Sequence, residues 1–153
     1  MIATSARLVA FAVLLVSSRA AFAQTIAVSG SPGFMHVTTA VAGSNPATLT
    51  DATTTYTVVT PAAHIAPSFK VTAQLDAAMP TGTTLTATFA APAAGGTSAG
   101  AIALDVTPRV VVSLIPKKVN ATQSITYQFA ATVAAGVVPF SSRTVTITIL
   151  AGP

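Results

Sequence analysis

An antiparallel β-sandwich of about seven to nine short strands is the fold that this sequence predicts, and three observations lead to it. Apolar and polar residues alternate one by one through most of the chain after Gln24. Gly and Pro interrupt these runs at short intervals. No stretch beyond the first two dozen residues keeps a helical period with a plausible cap.

The opening segment is of a different kind. In MIATSARLVAFAVLLVSSRAAFAQ, Arg7 precedes an apolar run over 8–16, and Ala21-Phe22-Ala23 forms a small-x-small box. That is the pattern of a secretory signal peptide over 1–23, since so short a run spans only about half of the roughly 20 residues a membrane helix needs. The rest, 24–153, is expected to be a single domain of about 130 residues, with no transmembrane segment once the signal peptide is removed.

Strands follow in order. Short alternating runs stand at 25–29, 35–41 and 54–60. In SFKVTAQL (68–75), Phe69, Val71, Ala73 and Leu75 share one face while Lys70, Thr72 and Gln74 share the other. TTLTATFAA (83–91) puts Leu85, Ala87 and Phe89 inward and its threonines outward. Further runs occupy 101–106 and 109–115. ITYQFAATV (125–133) aligns Ile125, Tyr127, Phe129, Ala131 and Val133, and RTVTITIL (143–150) aligns Val145, Ile147 and Ile149. Asn45-Pro46, Met79-Pro80-Thr81-Gly82, Ala94-Gly95-Gly96, Ile115-Pro116 and Gly136-Val137-Val138-Pro139 supply the turns between runs. The expected form is immunoglobulin-like, two sheets meeting through their apolar faces, with 125–133 and 143–150 as the last hairpin. A short helical turn is expected, if anywhere, near APAAGGTSAGA. A membrane barrel also alternates, but it carries aromatic girdles. This chain has no Trp and only Tyr56 and Tyr127 besides its phenylalanines, which disfavours a barrel.

Composition narrows the function. Without Arg7 and Arg19 five basic residues face three aspartates, a formal charge of +2. Nucleic-acid binding needs clustered Lys and Arg, and Lys117-Lys118 is the only adjacent pair, so no nucleic-acid partner is expected. Cysteine is absent, which removes thiol chemistry, thiolate metal centres and disulfides together. A chain that is 52% hydrophobic and 7% charged has the reverse of a disordered composition.

The ionisable groups after the signal peptide are few enough to search completely. The acids are Asp51, Asp76 and Asp105, and the histidines are His36, in the run 35–41, and His64, in the loop TPAAHIAP. Gly96-Thr97-Ser98-Ala99-Gly100 spells G-x-S-x-G but opens onto no helix, and no His spacing pre-places metal ligands on one element. The aspartates stand singly beside turns, where carboxylates commonly serve the turn itself. AAGGTSAGA follows a strand, but it lacks the lysine and the helix of a phosphate loop. No catalytic, cofactor-binding or metal-binding residue is therefore assigned, no cofactor is expected, and the chain reads as a non-enzyme.

The C-terminal stretch ITYQFAATVAAGVVPFSSRTVTITIL resembles the closing hairpin of secreted bacterial β-sandwich proteins of the fimbrial or spore-coat-U kind. Members of those families usually carry a disulfide, and this chain has none. The resemblance implies a structural or adhesive protein of the periplasm, the cell surface or the extracellular space, with a protein partner or self-association through sheet edges. QTIAVSGSPGFMHVTTAV, with Ser31-Pro32-Gly33 in its middle, is expected to be a first strand and its turn in the same domain, the alternative being donation to a neighbour. A second function from another class is a soluble binding module for a small carbohydrate or apolar ligand, for which only the tyrosines and phenylalanines offer stacking surfaces.

Overall fold

A computed structural model of the chain describes residues 23–37, 41 and 43–153. The signal peptide expected over 1–23 lies outside the described residues except for Ala23. The strands are β1 (Thr25–Ser29), β2 (Leu49–Val59), β3 (Phe69–Leu75), β4 (Thr83–Phe89), β5 (Thr97–Ser98), β6 (Ala101–Ala103), β7 (Arg109–Ile115), β8 (Asn120–Ala131) and β9 (Val145–Ala151). They form two antiparallel sheets, a first of order β1-β2-β8-β4-β6 and a second of order β5-β7-β3-β9. The fold is an all-β sandwich.

Alternation builds the core as the period of two demands. Phe69, Val71, Ala73 and Leu75 of β3 are buried and meet Ala87 and Phe89 of β4, Ile125 and Tyr127 of β8, and Tyr56 and Val58 of β2. The Tyr56 hydroxyl donates to the Ala90 carbonyl at 2.6 Å, and its ring tilts against Phe89 with centroids 5.4 Å apart. Burial pushes the Tyr56 and Tyr127 phenols up to about 12.

Several local expectations are corrected. The stretches 125–133 and 143–150 do not form a hairpin: β8 pairs with β2 and β4 in the first sheet, whereas β9 pairs with β3 in the second. The 13 residues between Ala131 and Val145 are too many for a tight turn and carry the chain from one sheet to the other. The only helical turn among the described residues is a 3₁₀ turn at Val133–Ala135, not in the glycine-bearing loop, and it turns Val133 out to solvent. Residues 35–37 are not strand, and 38–40 lie outside the described residues. There the Gly33 N–H donates to Asp51 Oδ2 at 3.0 Å, drawing the chain across the end of the sandwich.

Two bulges bend β7. Between the pairs Phe69↔Ile115 and Val71↔Val112, and again before Thr72↔Val110, β7 spends one more residue than β3. The second bulge makes neighbours Val111 and Val112 both buried, which a regular strand forbids. The first holds Leu114 at φ 55°, in the left-handed region, with its side chain 55% exposed. A Cβ there costs about 1 kcal/mol or more, and little burial offsets it. Leu114→Gly is accordingly expected to raise stability by about 1 kcal/mol in urea titrations. In β2 the core-facing Thr54 is buried with its hydroxyl unpartnered among the described residues. Thr54→Val, which keeps the shape and removes the orphaned hydroxyl, should stabilise by about 1–2 kcal/mol in the same titrations.

Candidate functional site

Apart from the pair Asp105 and Arg109, the ionisable side chains among the described residues form no cluster. His64 sits between β2 and β3, its Nδ1 accepting from the Ala66 N–H at 3.0 Å and its ring edge-on to Phe69. Lys117 donates to the His64 carbonyl beside it. His36 lies beyond β1, its ring 4.9 Å from that of Phe34. No three His, Asp or Glu side chains among the described residues gather into a group able to hold a metal ion.

Each aspartate organises a loop. Asp51 accepts from the Gly33 N–H, from the Thr53 N–H at 2.9 Å and from the Thr53 hydroxyl at 2.7 Å. It thereby joins the turn after β1 to the bulge in β2, where Gly30, at φ 79°, approaches so closely that a Cβ would lie 2.8 Å from the Thr53 carbonyl oxygen. Asp76 accepts from the Thr144 N–H at 3.0 Å and so aligns the entry to β9 with the exit of β3. Asp105 accepts from the Thr107 N–H at 2.8 Å and pairs with Arg109 four residues on.

The feature that stands apart is one side of the sandwich. On the far side the sheets end in β5 and β6, strands of two and three residues, which is how sheet edges are commonly kept from pairing. On the near side they end in β1 and β9, which approach each other across the two layers. β9 is seven residues of Val, Thr, Ile, Leu and Ala, with no charge, proline or bulge in its register with β3. Register fixes its hydrogen-bond phase. The Asp76 N–H donates to the Thr144 carbonyl at 3.0 Å and the Gly152 N–H to the Ser68 carbonyl at 2.9 Å. Bonded pairs alternate along an antiparallel ladder, so Thr146, Thr148 and Leu150 turn their backbone groups toward β3. Val145, Ile147, Ile149 and Ala151 turn theirs outward, where no strand among the described residues pairs with them.

The same residues are short of apolar cover. Val145 and Ile147 face the core, opposite Leu75 and Ala73, yet are only half-buried. Across the gap, Ile26 and Val28 stand opposite the buried Val58 and Tyr56 and share their face, but Val28 remains 47% exposed. The near side thus presents unpaired peptide groups and uncovered core side chains along one line. Alternation in RTVTITIL was readable in the sequence. That its strand ends a sheet was not, because nothing in the sequence tells an edge strand from a central one when the usual charges are missing.

Compared with protein-family models, with curated proteins and with solved structures, the chain matches none.

Hydrogen bonds from Thr53 and Gly33 hold the Asp51 carboxyl below the ordinary carboxylate range, and those from Arg109 and Thr107 do the same for Asp105. The unfolded chain then binds more protons than the folded one near the ordinary value, so stability rises with pH there. The contribution is fully present above about pH 4 and is lost as pH falls through the lowered folded values. Thermal midpoints are expected to drop below about pH 4, and to drop less steeply in Asp51→Asn and Asp105→Asn, each of which starts from a lower midpoint at neutral pH.

Proposed function

We propose that the chain is a secreted, non-enzymatic structural or interaction protein that self-associates through the outer edge of β9. The observation that carries this reading is the coincidence on β9 of outward-turned backbone groups with half-buried, core-facing Val145 and Ile147. An incoming strand satisfies the first and covers the second at once, which is the physical basis of strand addition. A long, flat, uncharged edge is a liability in a chain that remains alone, and short or charged edges are the usual protection. This protein has such protection on its far side and lacks it on the near one.

A second copy of the chain is the occupant proposed. Its β9 offers the same uncharged seven-residue edge, and two such edges meeting antiparallel form a closed two-fold contact. Residues 25–29 are not needed as a donated segment, since β1 is paired with β2 along its whole length. Secretion to the periplasm, the cell surface or beyond fits this reading, and it rests on the signal-peptide pattern of 1–23.

Two proline variants test the edge. Ile147→Pro removes an outward N–H and no bond to β3, so the protein should stay folded while the oligomers seen by size-exclusion chromatography with light scattering revert to monomer. Thr146→Pro removes a bond to β3 and should destabilise the fold by about 1–3 kcal/mol. A wild-type chain that is monomeric at every concentration, or oligomers that survive Ile147→Pro, would remove the basis for self-association at this edge.

A further inference from the structure

One end of the sandwich is left open between its layers, and the opening is a cavity of about 800 Å³, within the size range of small-molecule sites. Its inner wall is the pair Leu85 and Phe129, which face each other on β4 and β8. They continue the core face, for the next pair along, Ala87 and Tyr127, is buried, whereas Leu85 and Phe129 are only half-buried. Met35 and Met79 line the cavity from the two neighbouring loops. Phe34 and Phe140 reach across between separate loops and stack at 5.4 Å, although they are 67% and 78% exposed. The loop that bears Phe140 is fixed at its root. The Gly82 carbonyl accepts from the Thr132 N–H at 2.8 Å, and a Cβ at Gly82 would come within 2.7 Å of the Ala135 backbone.

The cavity carries one full charge. Of the residues that line it, only Arg143 is permanently ionised. Its Nε donates to the Ala78 carbonyl at 2.9 Å and its Nη1 to the Ser142 carbonyl at 2.7 Å. Both acceptors are neutral, no carboxylate pairs with Arg143 among the described residues, and Nη2 has no protein partner among them. A guanidinium held in place by carbonyls, with donors to spare, is arranged to receive an anion.

We propose that this cavity binds a single-chain anionic amphiphile, its apolar chain against Leu85, Phe129, Met35 and Met79 and its acid head on Arg143. The proposal does not depend on association through β9. Charge complementarity selects the class: an apolar wall asks for a hydrocarbon, and one guanidinium with no carboxylate in direct contact among the described residues asks for one anionic head. The occupant is the monomeric amphiphile in solution, not a membrane surface, because Asp51 and Asp76 stand at the same end of the sandwich and leave it without a net positive field.

Decanoate and decyltrimethylammonium, equal in chain length and opposite in charge, make the test by titration calorimetry below their micellar concentrations. The protein is residues 24–153, which contain every core residue of the sandwich. Decanoate is expected to bind saturably at one site, and the cationic probe about tenfold more weakly or worse. Arg143→Gln should weaken decanoate by about tenfold and leave the cationic probe unchanged or stronger, while Arg143→Lys should keep decanoate within about threefold of wild type. Circular dichroism confirms that each variant retains its strands. No saturable binding of decanoate, equal affinity for the two probes, or equal loss of both in Arg143→Gln would overturn the proposal. Co-sedimentation with phosphatidylglycerol vesicles without binding of monomeric decanoate would overturn it in favour of a membrane surface.

Discussion

Burial of one face of each long strand between two sheets is the constraint on which this structure depends, because the chain has almost nothing else to hold it. It has no cysteine to cross-link its loops, and Arg109 with Asp105 is the single ion pair among the described residues, exposed and therefore weak. Phe69, Val71, Ala73 and Leu75 from one sheet, packed on Tyr56, Phe89, Ile125 and Tyr127 from the other, must supply most of what offsets the chain's conformational entropy. The polar groups that matter do a different task. Asp51, Asp76 and Asp105 each tie down a loop, so that the strands leave and enter the core in register.

That constraint also explains what was legible in the sequence. A period of two reports burial on one face, so the inward sets of β3 and β4 and the Ile125–Tyr127 part of β8 followed from spacing alone. It does not report which strand lies beside which. The pairing of β9 with β3 joins residues more than sixty positions apart, and the expected hairpin between β8 and β9 failed because alternation is blind to sheet membership. The bulges in β2 and β7 escaped as well, since a bulge is a mismatch between two strands and has no signature in either alone. His36 and the 35–37 stretch show the limit from the other side. Their alternation is real, but Gly33 is held by Asp51 and the chain crosses the end of the sandwich without joining a ladder.

The two surfaces of interest come from two ways in which the sandwich is incomplete. Along its near side the second sheet stops at a strand with no hydrogen-bonded neighbour among the described residues on its outer edge, and the deficit is one of backbone partners and apolar cover together. At its end Leu85 and Phe129 are left half-covered beside a cavity, and the deficit is one of volume. Neither was visible as a motif, because both arise from where the strands stop. Arg143 entered the sequence reading only as the first residue of the run 143–150; its meaning depends on the carbonyls of Ala78 and Ser142, which the fold brings to it.

The crossing from β8 to β9 also bears on how the molecule reaches its native form. β3 has its partner β7 well before β9 exists in the growing chain, and in that interval β3 is itself the terminal strand, with its own N–H and C=O groups turned outward. The tether over 132–144 is anchored at Thr132 by Gly82 and at Thr144 by Asp76, and between those points it alone sets how far β9 can reach. Docking of β9 is therefore a non-local, late step, of the sort that slows folding as sequence separation grows. In a crowded compartment the vacant edge of one chain meets the unpaired β9 of another at a rate that rises with concentration, whereas closure within a chain does not. Exchange of β9 between copies is thus built into the topology as a competitor of correct closure, and the length of the tether decides which of the two is faster.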